Sequence, residues 1–257
     1  MLKLQEDAAS ARRSPVARSR PPAINPSRDA LFLDLDGTLA GFEAHPDAVG
    51  PVERRTVLLR RLGERLGGRL AIVTGRTVSE ADRILDGACP VVAGVHGLSI
   101  RGPDGMLDEA AANGSFQTAL AQASAFAADR PGLLVEDKGV AVALHYRQAP
   151  DQAEAVNARG RELATQHGLH GQPGHLVFEL RLRGADKGSA VERLMALAPF
   201  AGSRPIFVGD DLTDEDGFRA ARSLGGYSVL VGDRQGSEAD HGLADVEAVL
   251  AWLEAAQ

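Results

Sequence analysis

The chain has 257 residues, 44% of them hydrophobic and 25% charged, and a formal charge of −7. That balance is ordinary for a globular protein and argues against general affinity for nucleic acid or an anionic membrane. A small anionic substrate stays compatible with it, because a bound metal reverses the local field.

One cysteine, Cys89, excludes an internal disulfide and fits a reducing, cytoplasmic setting. It precedes Pro90 at an expected strand start and reads as a small core residue, not a nucleophile. No stretch approaches the ~18 apolar residues of a membrane-spanning helix.

Residues 1–28 carry six basic residues against the two acids Glu6 and Asp7, and Pro15, Pro21, Pro22 and Pro26 interrupt them. With no apolar centre this stretch is not a secretory signal. It is expected to be a disordered basic arm; an Arg-rich organelle transit peptide is the alternative.

Leu31-Phe32-Leu33 then leads into Asp34-Leu35-Asp36-Gly37-Thr38. A short apolar run bounded by turn residues predicts a buried strand. It carries Asp34 and Asp36 to its carboxyl end, where open α/β sheets bind ligands. Positions i and i+2 of a strand face one way, so the two carboxylates converge and call for a shared proton or a cation. An EF-hand calcium loop would need glutamate at the twelfth position from Asp34, where His45 stands.

Pro51 to Gly67 has helical apolar spacing, and Arg69 to Val73 predicts a second buried strand ending in Thr74-Gly75-Arg76. Thr77-Val78-Ser79-Glu80 has the form of a capping box, and Gly87 can close the helix that follows. Pro90 to Val95 predicts a third strand before His96-Gly97. This alternation implies βαβ units and a parallel sheet.

The texture then changes. Pro103-Asp104-Gly105 and Asp137-Lys138-Gly139 mark hairpin turns, helices are expected near 113–128 and 151–166, and Leu176 to Arg183 alternates as a one-sided antiparallel strand. Residues 107–181 are therefore expected to form an inserted α+β cap. A Rossmann-like, doubly wound parallel core is expected over 29–106 and 182–257. It resumes with a helix from Lys187, a buried strand ending in Gly209-Asp210-Asp211, a helix from Asp214 to Ser223, a strand over 227–231 and a closing helix over 246–253.

The strand ends share one edge of such a sheet, so Asp34, Asp36, Thr74, His96, Asp210 and Asp211 can converge. The chemistry they suggest is phosphoryl transfer to a carboxylate. Asp34 is the candidate nucleophile and Asp36 the general acid and base. Asp34, Asp36, Asp210 and Asp211 are candidate magnesium ligands, with a main-chain carbonyl near Asp36 as one possible donor. Thr74, Gly75 and Lys187 are candidates for holding the phosphate. Thr74-Gly75-Arg76 alone also describes a capped strand-to-helix turn, and Asp214, Glu215 and Asp216 alone describe charge at a helix start.

In order, Asp34-Leu35-Asp36-Gly37-Thr38, Thr74, Lys187 and Gly209-Asp210-Asp211 resemble the four motifs of the haloacid dehalogenase superfamily of phosphohydrolases. Ala93-Gly94-Val95-His96-Gly97, Glu136-Asp137-Lys138-Gly139, Leu144-His145-Tyr146-Arg147 and Gly209 to Glu215 are similar to strings of its trehalose-6-phosphate phosphatases. The resemblance covers about residues 30–254. It implies magnesium-dependent hydrolysis of trehalose 6-phosphate and a sugar site built from His96, Gly97, Glu136, Lys138 and Glu179; separately, a monomer is expected. Thr74 stands where many members have serine, and Leu182 where proline usually follows Glu-Leu-Arg. Other readings are a phosphatase of the same superfamily acting on sucrose phosphate or a glycosyl-glycerate phosphate, a glycosidase, and a non-catalytic regulatory domain.

Overall fold

The structure, a computed structural model, describes residues 18–43, 48–174 and 176–256. The alternation expected from the sequence folds into two sheets. Strands β1 (Asp29–Leu33), β2 (Leu70–Val73), β3 (Val91–Gly94), β4 (Ser99–Arg101), β5 (Leu107–Glu109), β10 (Arg204–Gly209), β11 (Tyr227–Val231) and β12 (His241–Leu243) form the larger one. Its order is β12-β11-β10-β1-β2-β3-β4-β5, parallel from β12 to β3 and antiparallel across β4 and β5.

The chain winds outward from β1 to β3, then returns to the other side of β1 as β10. The reversal lies between β1 and β10, where the carboxyl ends of an open sheet leave a crevice.

Helices α1 (Glu53–Arg65), α2 (Val78–Leu85) and α7 (Val246–Glu254) cover one face, against Leu31, Leu33, Ile72 and Val208. Helices α5 (Lys187–Met195) and α6 (Asp214–Ser223) cover the other, against Phe32, Val73 and Phe207. Strand residues of alternating parity thus feed two cores, which is why these strands read as unbroken apolar runs.

The second sheet is antiparallel: β6 (Leu134–Asp137), β7 (Ala141–His145), β9 (Val177–Arg181) and β8 (His170–Gly174), in that spatial order. Helices α3 (Gly114–Ala128) and α4 (Ala153–His167) pack on one of its faces. There Phe116, Ala119, Ala123, Val156 and Leu163 meet Val142, Leu144, Phe178 and Leu180. Asn113 caps α3, its side chain accepting from the Phe116 N–H.

Three expectations change. The arm is ordered from Arg18 onward, and residues 1–17 lie outside the described residues, as does His45. Trp252 Nε1 donates to Pro22 O at 2.9 Å, Arg18 donates to Ala239 O and Ser237 O at 3.0 and 2.6 Å, and Ile24 is buried. Gly242 N donates to Ser19 O, so the arm covers the edge of β12. Proline does not prevent this docking, since the Pro22 carbonyl is itself one of the contacts.

The larger sheet also reaches past residue 106, because β5 pairs with β4. The hairpin expected at Pro103-Asp104-Gly105 joins these two strands; with all three β5 residues exposed, the turn and not apolar alternation announced it. Finally, β8 was not expected at all: Gly171, Pro173 and Gly174 give it little strand propensity, and it survives as an edge strand. Among the described residues no helix is long and apolar enough to cross a membrane.

Candidate active site

Asp34 follows β1 and Asp210 follows β10, so both stand at the reversal point. The Asp34 N–H donates to Val208 O at 2.9 Å, which ties the two strand ends together. The Asp34 carboxylate is buried, with Oδ1 2.8 Å from Lys187 Nζ. Lys187 opens α5, whose start is fixed by a reciprocal cap between Asp186 and Ser189. Its ammonium also lies 2.6 Å from Asp214 Oδ1. Burial opposes the charge on Lys187, but Asp214 and Asp34 hold its pKa above the ordinary lysine value.

The second oxygen of Asp214 accepts from the N–H groups of Asp210 and Asp211, both at 2.9 Å. Asp214 therefore folds the turn between β10 and α6 over the site. Gly37 makes room opposite: its φ is +79°, and a Cβ there would lie 2.2 Å from Asp210 Oδ2.

One oxygen each of Asp34, Asp210 and Asp214 falls within 4.8 Å of the others. Burial, then the Asp214 charge, raises the Asp34 carboxyl well above its usual range and pushes Asp210 up to about 7. Three carboxylates against one ammonium leave the cluster short of positive charge. An all-oxygen donor set of this charge fits a hard divalent cation, and these three residues could hold one.

Beside the cluster, Arg76 grips both oxygens of Asp36, Nε to Oδ2 and Nη2 to Oδ1 at 2.8 Å each. Thr74 is buried and its hydroxyl accepts from the Arg76 N–H at 3.2 Å. The expected capping box between Thr77 and Glu80 is present and starts α2 here. Val95 and His96 both have positive φ, 47° and 54°, an unfavourable conformation for a β-branched residue. This turn lays the His96 ring on Gly75, where a Cβ would lie 2.7 Å from Nε2.

The cap sheet faces this turn. Its register aligns Glu136 with Ala143, Ala143 with Glu179, and Glu179 with Gln172, a single row across four strands. Because α3 and α4 take the opposite face, this row looks toward the core. His96 Nε2 lies 3.2 Å from Glu179 Oε1, and Lys138 Nζ lies 3.5 Å from Glu179 Oε2 and 3.3 Å from Gly75 O.

His145 Nε2 lies 2.8 Å from Glu136 Oε2 and brings the Glu136 pKa down. Burial works against the Glu179 charge, yet His96, Lys138 and Arg181 together lower that pKa to about 2. A cavity of about 280 Å³ separates the sheets, lined among others by Asp36, Arg76, His96, Glu136, Lys138 and Glu179.

Of the residues singled out in the sequence, Asp34, Lys187 and Asp210 meet in the buried cluster. Asp36, Thr74 and Gly75 line its flank, and His96, Glu136, Lys138 and Glu179 surround the cavity. The Asp36 and Asp211 carboxylates lie outside the three-carboxylate cluster: Asp36 is held by Arg76, and Asp211 is exposed and accepts from the Leu212 N–H at 2.6 Å. Gly97 packs against α5, where a Cβ would lie 2.9 Å from Asp186 O. Sequence reasoning missed Asp214 in the cluster and Arg76 as the partner of Asp36. The spacing of Asp214 from Asp210 was a usable signal, whereas the pairing of Arg76 with Asp36 carried none.

A family model described as Trehalose-phosphatase matches residues 32–247. A probable trehalose-phosphate phosphatase of Sinorhizobium fredii is 43% identical over 211 residues, 79% of this chain and 77% of that protein. The trehalose-6-phosphate phosphatase of Escherichia coli is 39% identical over 236 residues, covering 88% and 85%. Among solved structures, a trehalose-6-phosphate phosphatase related protein superimposes with a TM-score of 0.72 at 28% identity, covering 88% of this chain and 95% of that one. The C-terminal domain of the C. albicans enzyme gives 0.77 at 22% identity, covering 90% and 96%, a likeness of fold.

Proposed function

Because the chain belongs to the trehalose-phosphatase family, we propose that it hydrolyses trehalose 6-phosphate to trehalose and phosphate through an aspartyl-phosphate on Asp34. The observation that carries this reading is a cavity lined on the core side by Asp36 and Arg76 and on the cap side by Glu136, Lys138 and Glu179, with the buried Asp34–Lys187 pair on the same sheet edge as Asp36.

Asp34 attacks phosphorus; a bond forms from its carboxylate oxygen while the bond to the sugar 6-oxygen breaks. Asp36 gives a proton to the departing alkoxide and later takes one from the water that cleaves the acyl phosphate. Arg76 occupies both Asp36 oxygens, so Asp36 acts as an acid only after freeing one of them. The phosphate competes for that guanidinium, which offers the exchange.

Lys187 and the Thr74 hydroxyl hold the phosphate, and Lys187 keeps Asp34 aimed. Asp34 and Asp210, with Asp214 beside them, would hold a magnesium ion, which would supply the positive charge that lets two anions approach. Glu136, Glu179, Lys138 and His96 bind the sugar hydroxyls, the carboxylates accepting and the ammonium donating.

The same proposal includes a cytoplasmic setting, supported by the buried, unpaired Cys89. It also includes a monomer, supported by a site assembled from one chain. Phosphate release from trehalose 6-phosphate by Asp34→Asn tests the mechanism. Release is expected to be abolished, and retained turnover would contradict covalent catalysis.

A further inference from the structure

The row across the cap sheet does not end at Glu179. Gln172, on the edge strand β8, is the register partner of Glu179 and shares its face. It is half-buried and lines the same cavity as Glu136, Lys138 and His96. Strands stand about 4.8 Å apart, so the three steps from Glu136 to Gln172 span roughly 14 Å. That length exceeds one hexose ring and accommodates two. Ala143, between the two glutamates, keeps the middle of the row low.

The charged members of the row already have partners outside it: Glu136 has His145, and Glu179 has both His96 and Lys138. A carboxylate only accepts and an ammonium only donates, whereas a sugar hydroxyl does both. The Gln172 carboxamide, which also meets the His170 side chain, carries two donors and an acceptor and adds no charge beside Glu179. We propose that Gln172 is a further specificity-determining residue, binding hydroxyls of the disaccharide at the β8 end of the row. This rests on the sugar-phosphatase reading above and extends it to a residue on the strand that sequence reasoning did not find.

The test compares Gln172→Ala and Gln172→Glu with the unaltered protein on trehalose 6-phosphate and para-nitrophenyl phosphate, with Mg²⁺ present. Thermal unfolding verifies that each variant is folded. The ratio of kcat/KM between the two substrates is expected to fall about tenfold in Gln172→Ala, the size of one hydrogen bond, mainly through KM. Gln172→Glu keeps the shape and an acceptor but loses both donors, and a comparable fall is expected. Ratios within twofold of the unaltered protein in both variants would overturn the proposal.

The outcome separates from that of the parent reading. If the unaltered protein prefers a different disaccharide phosphate, and the variants lose that preference, the subsite stands and the substrate assignment falls. If it prefers no disaccharide phosphate, both fall.

Discussion

The Lys187 ammonium lies 2.8 Å from the Asp34 carboxylate, with both side chains at most 6% exposed. In that dry setting a single cation orients the Asp34 carboxylate and offsets its charge. The same ammonium holds Asp214, which in turn folds the Asp210 turn.

Replacing Lys187 by Met would leave Asp34 and Asp214 facing each other uncompensated. Turnover is expected to fall by about 10²–10³-fold, as when one donor of a preorganised anion site is lost. Stability in the absence of divalent cation is expected to drop by about 3 kcal/mol, the cost of stripping one partner from a buried pair. Steady-state kinetics and urea unfolding measure the two effects.

The cap carboxylates should matter for the sugar and little for the phosphate. Glu136→Ala and Glu179→Ala are expected to weaken turnover of trehalose 6-phosphate far more than that of a small aryl phosphate. Equal losses on both substrates would mean that the cap face does not read the sugar.

Glu179 also ties stability to pH. Its folded pKa of about 2 lies below the ordinary glutamate value of 4.5. A depressed carboxylate stabilises the fold above the unfolded pKa and loses that contribution as pH falls through the folded one. The contribution is on the order of 3 kcal/mol. The stability gap between the unaltered protein and Glu179→Gln is therefore expected to be present at about pH 5 and to shrink as pH falls toward 2. Urea midpoints across that range measure it.

Asp34, Asp210 and Asp214 crowd three carboxyl groups around the single Lys187 ammonium. EDTA is expected to abolish phosphate release and Mg²⁺ to restore it. Without substrate, Mg²⁺ is expected to raise the melting temperature by mass action. Asp210→Asn, with one ligand charge removed, should show a smaller rise at the same Mg²⁺ concentration.

The residues at strand ends were the most legible. Asp34, Thr74 and Asp210 each follow a run of buried residues whose unbroken apolar pattern betrays a parallel strand, and that places them on one edge. Side-chain pairing was less legible, since nothing in the spacing of Asp36 and Arg76 dictates their double contact. Asp214 looked like charge complementing a helix start, because the same position serves both roles. The β8 strand was hidden by its glycines and proline, and Gln172 with it. The docked arm was hidden because Trp252, which holds Pro22, lies 230 residues further along the chain.

Selection and hydrolysis of trehalose 6-phosphate at this site are read from phosphate release on a panel of trehalose 6-phosphate, sucrose 6-phosphate and glucose 6-phosphate, each with Mg²⁺ and with EDTA. Mg²⁺-dependent release with a kcat/KM highest by far for trehalose 6-phosphate is the expected result. Equal activity on glucose 6-phosphate and trehalose 6-phosphate would contradict it.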